Sequence, residues 1–359
     1  MAAVKKLPSG NYQVRWLTPD GASRKKTFRL KADADRYAAA MVTSKADGIY
    51  IDSAAGKVTF QEYAEQWRAI QVHRSGTAAQ IETNLRRHVY PVIGARPIGA
   101  IRHSEVQALV KDLTLTLKAT TVELIFRWVQ TIFKAAIADR VIPTSPCGAI
   151  KLPNVDVVEV VPMAPETVEA LADTIAARYR ALIILGAGTG LRISEALGLT
   201  NNRVDWMRRS VKVDRQLVRD GGAEPVFGPV KDRRNRSRTI PLPTMVVNAL
   251  AEHIKVFGLG PSGLLFTNSK GEPVRRATFS ENWRAAAAPL GIPSGDGFHQ
   301  LRHFYASVLI RSGESVKVVQ KRLGHTSATM TLDIYGHLWE QDEEHTRTAI
   351  DDVFNRRQA

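Results

Sequence analysis

Seven residues in the second half of the chain could do chemistry together. They are Arg192 and Glu195, three apart; Lys231; His299 and Arg302, also three apart; His325, directly after Gly324; and Tyr335. Metal-free cleavage of a phosphodiester needs a nucleophile, cations on the non-bridging oxygens, and an acid for the leaving oxygen. A phenol has a pKa near 10, so as a nucleophile it needs nearby positive charge or a base. The planar fork of an arginine matches two phosphate oxygens, and a lysine or histidine can deliver the proton. Each residue also has a plain structural reading: a surface Arg–Glu helix pair, a core histidine, a half-buried tyrosine. Their joint occurrence in this order points to function.

The elements that must hold them can be read locally. Leu182, Ile183 and Leu185 belong to an apolar helix that ends in the Gly-rich stretch 186–190. Thr189 reads as the cap of the next helix, starting around Leu191 and Arg192. That places Arg192 in a first turn, where the helix end favours anions, with Glu195 on the same face. His299 and Arg302 share one face of a helix that opens after a Ser-Gly-Asp-Gly turn, while His303 and Tyr305 read as facing elsewhere. Gly324 ends a helix carrying Val316, Val318 and Val319 and sets His325 in a turn. Lys231 falls in the first strand of an expected hairpin, 226–230 with 238–242, whose basic loop offers Arg233, Arg234, Arg236 and Arg238 as competing phosphate contacts.

The frame is an ordinary globular chain: 359 residues, 44% hydrophobic and 24% charged, which at roughly 100–200 residues per domain allows two or three domains. The formal net charge of +15 predicts a polyanionic partner. Cys147 is the only cysteine, which excludes an internal disulfide and fits a reducing cytoplasm. No apolar run approaches the roughly 20 residues of a membrane span, and the N-terminus lacks the apolar core of a secretory signal.

Residues 4–30 read as a small β unit. Tyr12, Val14 and Trp16 alternate with Gln13 and Arg15, Pro19-Asp20-Gly21 supplies a turn, and a further strand runs through Arg24 to Phe28. A helix follows over about 31–47. Arg15, Arg24, Lys25 and Lys26 then make an exposed positive sheet face, one way of meeting duplex DNA. A linker over 48–57 leads to a helical block over 59–150. Thr59 and Glu62 have capping-box spacing, Arg86 and Arg87 lie among the candidate phosphate contacts, Ser104 and Thr121 open later helices, and Pro143 and Pro146 stop the last. Residues 152–165 read as an extended connector. After Tyr335, Leu338, Trp339, Ile350, Val353 and Phe354 have helix-like spacing, fit to pack on a neighbouring protomer or on the chain itself.

The pattern Arg…Lys…His-x-x-Arg…Leu-Gly-His…Tyr resembles that of the tyrosine recombinases, specifically phage-type integrases. The resemblance implies a mainly α chain with small β elements: a three-stranded sheet plus helix as an arm-type DNA-binding domain (1–55), a helical core-binding domain (56–153) and an α+β catalytic domain (162–359). It implies that Tyr335 attacks DNA to give a 3′-phosphotyrosine, that Arg192 and Arg302 clamp the phosphate, and that His299 handles protons. It further implies that Lys231 protonates the leaving 5′-oxygen, that His325 binds the phosphate or helps the leaving group, and that Glu195 orients its neighbours. No cofactor and no metal are implied. The implied partners are double-stranded DNA at core and arm-type sites, a homotetramer on that DNA, a host DNA-bending factor and an excision factor, in the host cytoplasm. The task is integration, and also excision, of phage or mobile-element DNA; a resolvase-type enzyme and a non-catalytic DNA-binding regulator of the same fold are the alternatives.

Overall fold

The structure, a computed structural model, describes residues 2–18, 21–46, 52, 54–155, 159–219, 224–230, 237–339, 347, 348 and 351. The chain divides into two compact units, 1–156 and 157–359.

The first unit opens with antiparallel strands β1 (Ala2–Lys6), β2 (Tyr12–Leu17) and β3 (Ser23–Phe28), in that order across the sheet, followed by α1 (Lys31–Ala46). Val14 and Trp16 pack with Ala34 and Ala38 of α1, so the period-2 stripe of β2 becomes the core of this piece. The register then corrects the reading of a single basic face. Val14 lies opposite Lys26 and Trp16 opposite Arg24, while Arg15 lies opposite Lys25. Directly paired residues share a face. Arg24 and Lys26 therefore belong to the face carrying α1: Arg24 pairs with Asp52 at 2.6 Å, and Lys26 sits 4.6 Å from the Tyr37 ring centroid. The open face keeps Lys5, Arg15 and Lys25.

The helical part consists of α2 (Phe60–Ile70), α3 (Ser75–Asn84), a π-helical stretch Leu85–Gly94, α4 (His103–Thr114) and α5 (Ala119–Ala138). Its core holds the apolar stripes read from the sequence, with Phe60, Leu85, Val106 and Phe133 all fully buried. The Thr59–Glu62 capping box forms as expected. The α4 and α5 starts do not match the expected caps: α4 begins at His103 with the Arg102 amide donating to Glu105, and α5 begins at Ala119, two residues before Thr121. In α4 the Glu105 carboxylate three residues on satisfies the free amide, so the Ser104 hydroxyl is not needed. Pro91 lies inside the π-helical stretch.

The second unit contains α6 (Pro165–Thr174), α7 (Ala177–Thr189), the short α8 (Ile193–Leu197), strands β4 (Val204–Asp205), β5 (Ser210–Val213), β6 (Arg215–Arg219), β7 (Pro225–Pro229) and β8 (Arg238–Pro241), and helices α9 (Thr244–Phe257), α10 (Arg276–Ala287), α11 (His299–Arg311), α12 (Val316–Leu323) and α13 (Ala328–Tyr335). The expected hairpin of 226–230 with 238–242 does not form. β7 pairs with β6, and β8 pairs with β5 in a separate β4–β5–β8 sheet. Core matching decides it. Val211 and Ile240 face each other and both are fully buried, whereas Pro225 and Pro229 suit β7 only to a two-stranded ribbon.

Two glycines let the site elements approach. A Cβ on Gly186 of α7 would meet the Phe298 ring at 2.6 Å. Gly190 ends α7 at φ 62°, and a Cβ there would meet Tyr305 at 2.5 Å. Both positions are therefore closed to larger residues, which is how α7 and α11 come close enough for one site. Leu338 and Trp339 pack against the core of their own unit; Ile350, Val353 and Phe354 lie outside the described residues.

Candidate active site

The site is assembled from five local pieces of the second unit: the starts of α8 and β8, α11, the turn after α12 and the end of α13. Arg192 is the N-cap of α8 rather than a first-turn residue, and Thr189 does not cap that helix: its hydroxyl donates back to Leu185 O within α7. Glu195, the third residue of α8, accepts the Arg192 amide at 3.0 Å and Arg192 Nη1 at 3.0 Å. Its other partner is Arg238, at the start of β8, whose Nη1 and Nη2 reach the two carboxylate oxygens at 3.1 and 2.7 Å. Glu195 is 2% exposed. Burial alone would push its carboxyl up, but the Arg238 bonds and the two guanidinium charges overcome that and bring it down to about 2.

Arg302, on α11, is 1% exposed and donates to Gly190 O at 2.8 Å and Leu323 O at 2.7 Å. Arg192 Nη2 reaches the next carbonyl, Gly324 O, at 3.3 Å. Both arginines are thus held on the turn after α12, where Gly324 adopts φ 66°. Burial, and after it the neighbouring Arg192 charge, lowers Arg302 to about 9, which leaves it cationic at neutral pH. Replacing Arg302 by lysine, which has no second arm, is expected to orphan one of the two carbonyls and cost about 1–3 kcal/mol in thermal or denaturant unfolding; unaltered stability would show that the carbonyl bonds are dispensable.

His325 follows that turn. Its Nδ1 lies 2.9 Å from Thr331 Oγ1, and its ring stacks on Tyr335 at an interplanar angle of 9°. Tyr335 is the last residue of α13 and is 1% exposed. Burial pushes its hydroxyl up to about 12 against the pull of Arg302, so the phenol is protonated at neutral pH. The hydroxyl lies 2.9 Å from Nδ1 of His303. His303, read from the sequence as facing elsewhere, is therefore in the site. It stands one turn after His299, and their rings meet edge-on with centroids 4.7 Å apart. Spacing of four residues puts side chains on one helical face, a signal the sequence did contain. Arg238 was the other residue underrated: it clamps Glu195 rather than serving as a spare loop cation. Tyr305 is buried in the core.

His299 lines a cleft of about 560 Å³ together with Arg192, Arg276, Trp283 and Arg284. It keeps an exposed edge there; desolvation of its inner side, then the His303, Arg302 and Arg192 charges, hold it below the ordinary histidine range. Lys231 lies outside the described residues. In the first unit, Arg86 is exposed and paired with Glu82 at 3.0 Å, and Arg87 is exposed. Among the described residues no group of histidine, cysteine, aspartate and glutamate side chains is placed to hold a metal, and no helix is long and apolar enough to cross a membrane.

The pH dependence of stability follows from His325. Burial, then the Arg302 and Arg192 charges, lowers it to about 3. Its folded pKa lies below the unfolded value near 6.5, so the unfolded chain binds the extra proton as pH falls. Its stabilising contribution is complete above about pH 6.5 and is lost progressively toward pH 3. Thermal unfolding between pH 7 and 4.5 is expected to weaken by roughly 1–3 kcal/mol from this residue. His325→Gln should flatten that part of the profile; an unchanged slope would remove His325 as its source.

A buried tyrosine flanked by two histidines, with two arginines pinned to one turn beside it, is the set of groups that phosphoryl transfer to a phenol requires. The chain belongs to the Phage integrase family, which it matches over residues 161–342; residues 60–152 match the Phage integrase central domain and residues 2–46 the Phage integrase N-terminal domain. It is a tyrosine-type site-specific DNA recombinase. The integrase of Mycobacterium phage L5 is 25% identical over 345 residues, covering 92% of each chain, and that of Mycobacterium phage D29 is 26% identical over 301 residues, covering 82% of this chain and 79% of the relative. In fold, the Tn1549 transposon integrase in complex with a circular intermediate DNA superposes with a TM-score of 0.69 at 23% identity, covering 82% of this chain and 99% of that one. A lambda integrase dimer bound to a core site gives 0.61 at 18% identity, covering 95% of each.

Proposed function

We propose that the enzyme integrates phage or mobile-element DNA, with Tyr335 attacking the scissile phosphate and retaining the 3′ end as a phosphotyrosine. The observation that carries this reading is an unbroken path of contacts. It runs from Glu195 through Arg192 to the Gly324 turn, on to His325, and by ring stacking to Tyr335. The path joins residues 140 positions apart, with Glu195 held by arginines at one end and the Tyr335 phenol at the other.

In this reading Arg192 and Arg302 bind the non-bridging oxygens. Arg302 commits two of its five N–H groups to carbonyls, which fixes the plane of its remaining donors. Such preorganisation stabilises developing charge without reorganisation during the reaction. His299, on the cleft wall, hydrogen-bonds the phosphate and helps move protons; His325 assists at the phosphate or leaving group. Lys231 protonates the 5′-oxygen. Glu195 orients Arg192. The phosphotyrosine conserves bond energy, so no ATP enters the scheme.

Segment 1–55 takes the arm-type DNA, through Lys5, Arg15 and Lys25 on the open face of the sheet; 56–153 takes the core site, with Arg86 and Arg87 toward phosphates; and 162–359 is the catalytic domain. The partner is duplex DNA bound by a homotetramer, in the cytoplasm of a bacterial host, with a DNA-bending factor and an excision factor as accessories. The basic N-terminal sheet favours integration over a resolvase-type task.

A duplex nicked next to the cleavage point traps the intermediate, because the short leaving strand diffuses away. Digestion and mass spectrometry of the trapped adduct are expected to place the nucleotide on the peptide containing Tyr335. An adduct on any other residue, or none with a target bound by the chain, overturns the assignment.

A further inference from the structure

We propose that His303 is the proton acceptor of the reaction, taking the phenol proton on Nδ1 as the Tyr335 oxygen attacks phosphorus and returning it on rejoining. This deepens the reading above and rests on Tyr335 being the nucleophile.

The geometry separates His303 from the other histidines. Its Nδ1 is 2.9 Å from the Tyr335 hydroxyl. His325 lies with its ring near-parallel to the phenol, centroids 6.4 Å apart, and has its Nδ1 engaged with Thr331. His299 meets the His303 ring and the cleft. The phenol itself is buried and pushed up to about 12, so it reaches phosphorus as a poor nucleophile unless a base in contact with it removes the proton.

His303 is suited to that task by its surroundings. Burial, then the Arg302 charge, holds it below the ordinary histidine range, and Asp296 works in the opposite direction. A neutral imidazole is therefore ready at neutral pH. The charged and titratable groups about it are His299 and Arg302 on α11, Asp296 before that helix, and Tyr335 on α13. The ring is only half-buried, unlike the phenol it touches.

The step balances. The Oη–P bond forms and the P–O5′ bond breaks; the phenol proton moves to His303, which becomes imidazolium; the 5′-oxygen takes its proton from the general acid, the role given above to Lys231. Rejoining reverses each transfer, with the imidazolium returning its proton to the departing phenolate.

The test uses the full chain and two nicked duplexes, one with the ordinary phosphate and one with a 5′-bridging sulfur at the scissile position. Sulfur leaves without protonation, so it rescues a missing acid but not a missing base. His303→Asn keeps a hydrogen-bonding group near the Nδ1 position that cannot take a proton; His303→Gln is the second variant. Adduct formation is expected to fall roughly 10²–10⁴-fold with DNA binding retained, and sulfur should not restore it. The wild-type cleavage rate should rise with pH through a histidine titration that His303→Asn lacks. Cleavage by either variant within about threefold of wild type overturns the proposal. So does restoration by sulfur, or a gain in rate, which would mean that His303 holds the tyrosine idle. If both variants fail to fold, the absence of a histidine limb in the wild-type profile overturns it. An adduct that survives Tyr335→Phe sinks the nucleophile assignment instead, independently of His303.

Discussion

Tyr335→Phe is expected to form no covalent adduct with a nicked target duplex, yet to bind that duplex as the parent chain does. The change deletes one oxygen from a side chain that is 1% exposed, leaving the ring packing on His325 and His303 in place. What the fold loses is a single hydrogen bond, at 2.9 Å to His303, worth about 1 kcal/mol net. What the proposed chemistry loses is the atom that attacks phosphorus, and no neighbour can replace it: the surrounding histidines and arginines are arranged to bind and to move protons. Strand exchange should fall below detection while the melting temperature moves by a few degrees at most. Residual adduct at even a hundredth of the parent rate would mean that another residue is the nucleophile. Loss of binding in parallel with loss of cleavage would mean that the hydroxyl serves the fold.

The second large effect is expected from Glu195→Ala. This carboxylate is 2% exposed and accepts from Arg192 and Arg238 together. Its removal leaves two guanidinium groups facing each other with Arg302 close by and no countercharge. Breaking a buried ion pair by deleting one partner costs about 3–5 kcal/mol, mostly because the remaining charge is desolvated and unpaired. For a unit of this size that corresponds to roughly 6–20 °C in melting temperature. The Arg192 amide also loses its acceptor, so α8 loses its N-terminal cap. Cleavage should fall with stability, and more steeply, since Arg192 loses the carboxylate that orients its guanidinium. Glu195→Gln should be intermediate: it can still accept hydrogen bonds but carries no charge. A melting temperature within 2 °C of the parent for Glu195→Ala would show that water or a shifted side chain replaces the carboxylate.

Much of the site was legible because its signals are local. His299 and Arg302 share a helical face by spacing alone, Gly324 marks the end of α12, and Glu195 stands three residues from Arg192 on one face. The misses were long-range or hidden by a neighbour. Arg238 looked like one basic residue among several because its partner lies 43 positions away. The β7 and β8 segments are close in sequence and invite a hairpin, but each finds its mate in an earlier strand. His303 lies a full turn from His299, but its partner Tyr335 sits on another helix, which spacing does not show.

By itself the sequence determined the chemical inventory, the helical stripes and the order of the parts, since these depend on residue type and on periods of 2 and 3.6. Only the tertiary structure decided which residues touch. It split the basic residues of the N-terminal sheet between two faces, because antiparallel register assigns paired residues to one side. It closed the Glu195–Arg192–Arg238 cluster and brought Tyr335 to His303, because close packing of α7, α11 and the turn after α12 leaves one place for each side chain, and no local period carries that information.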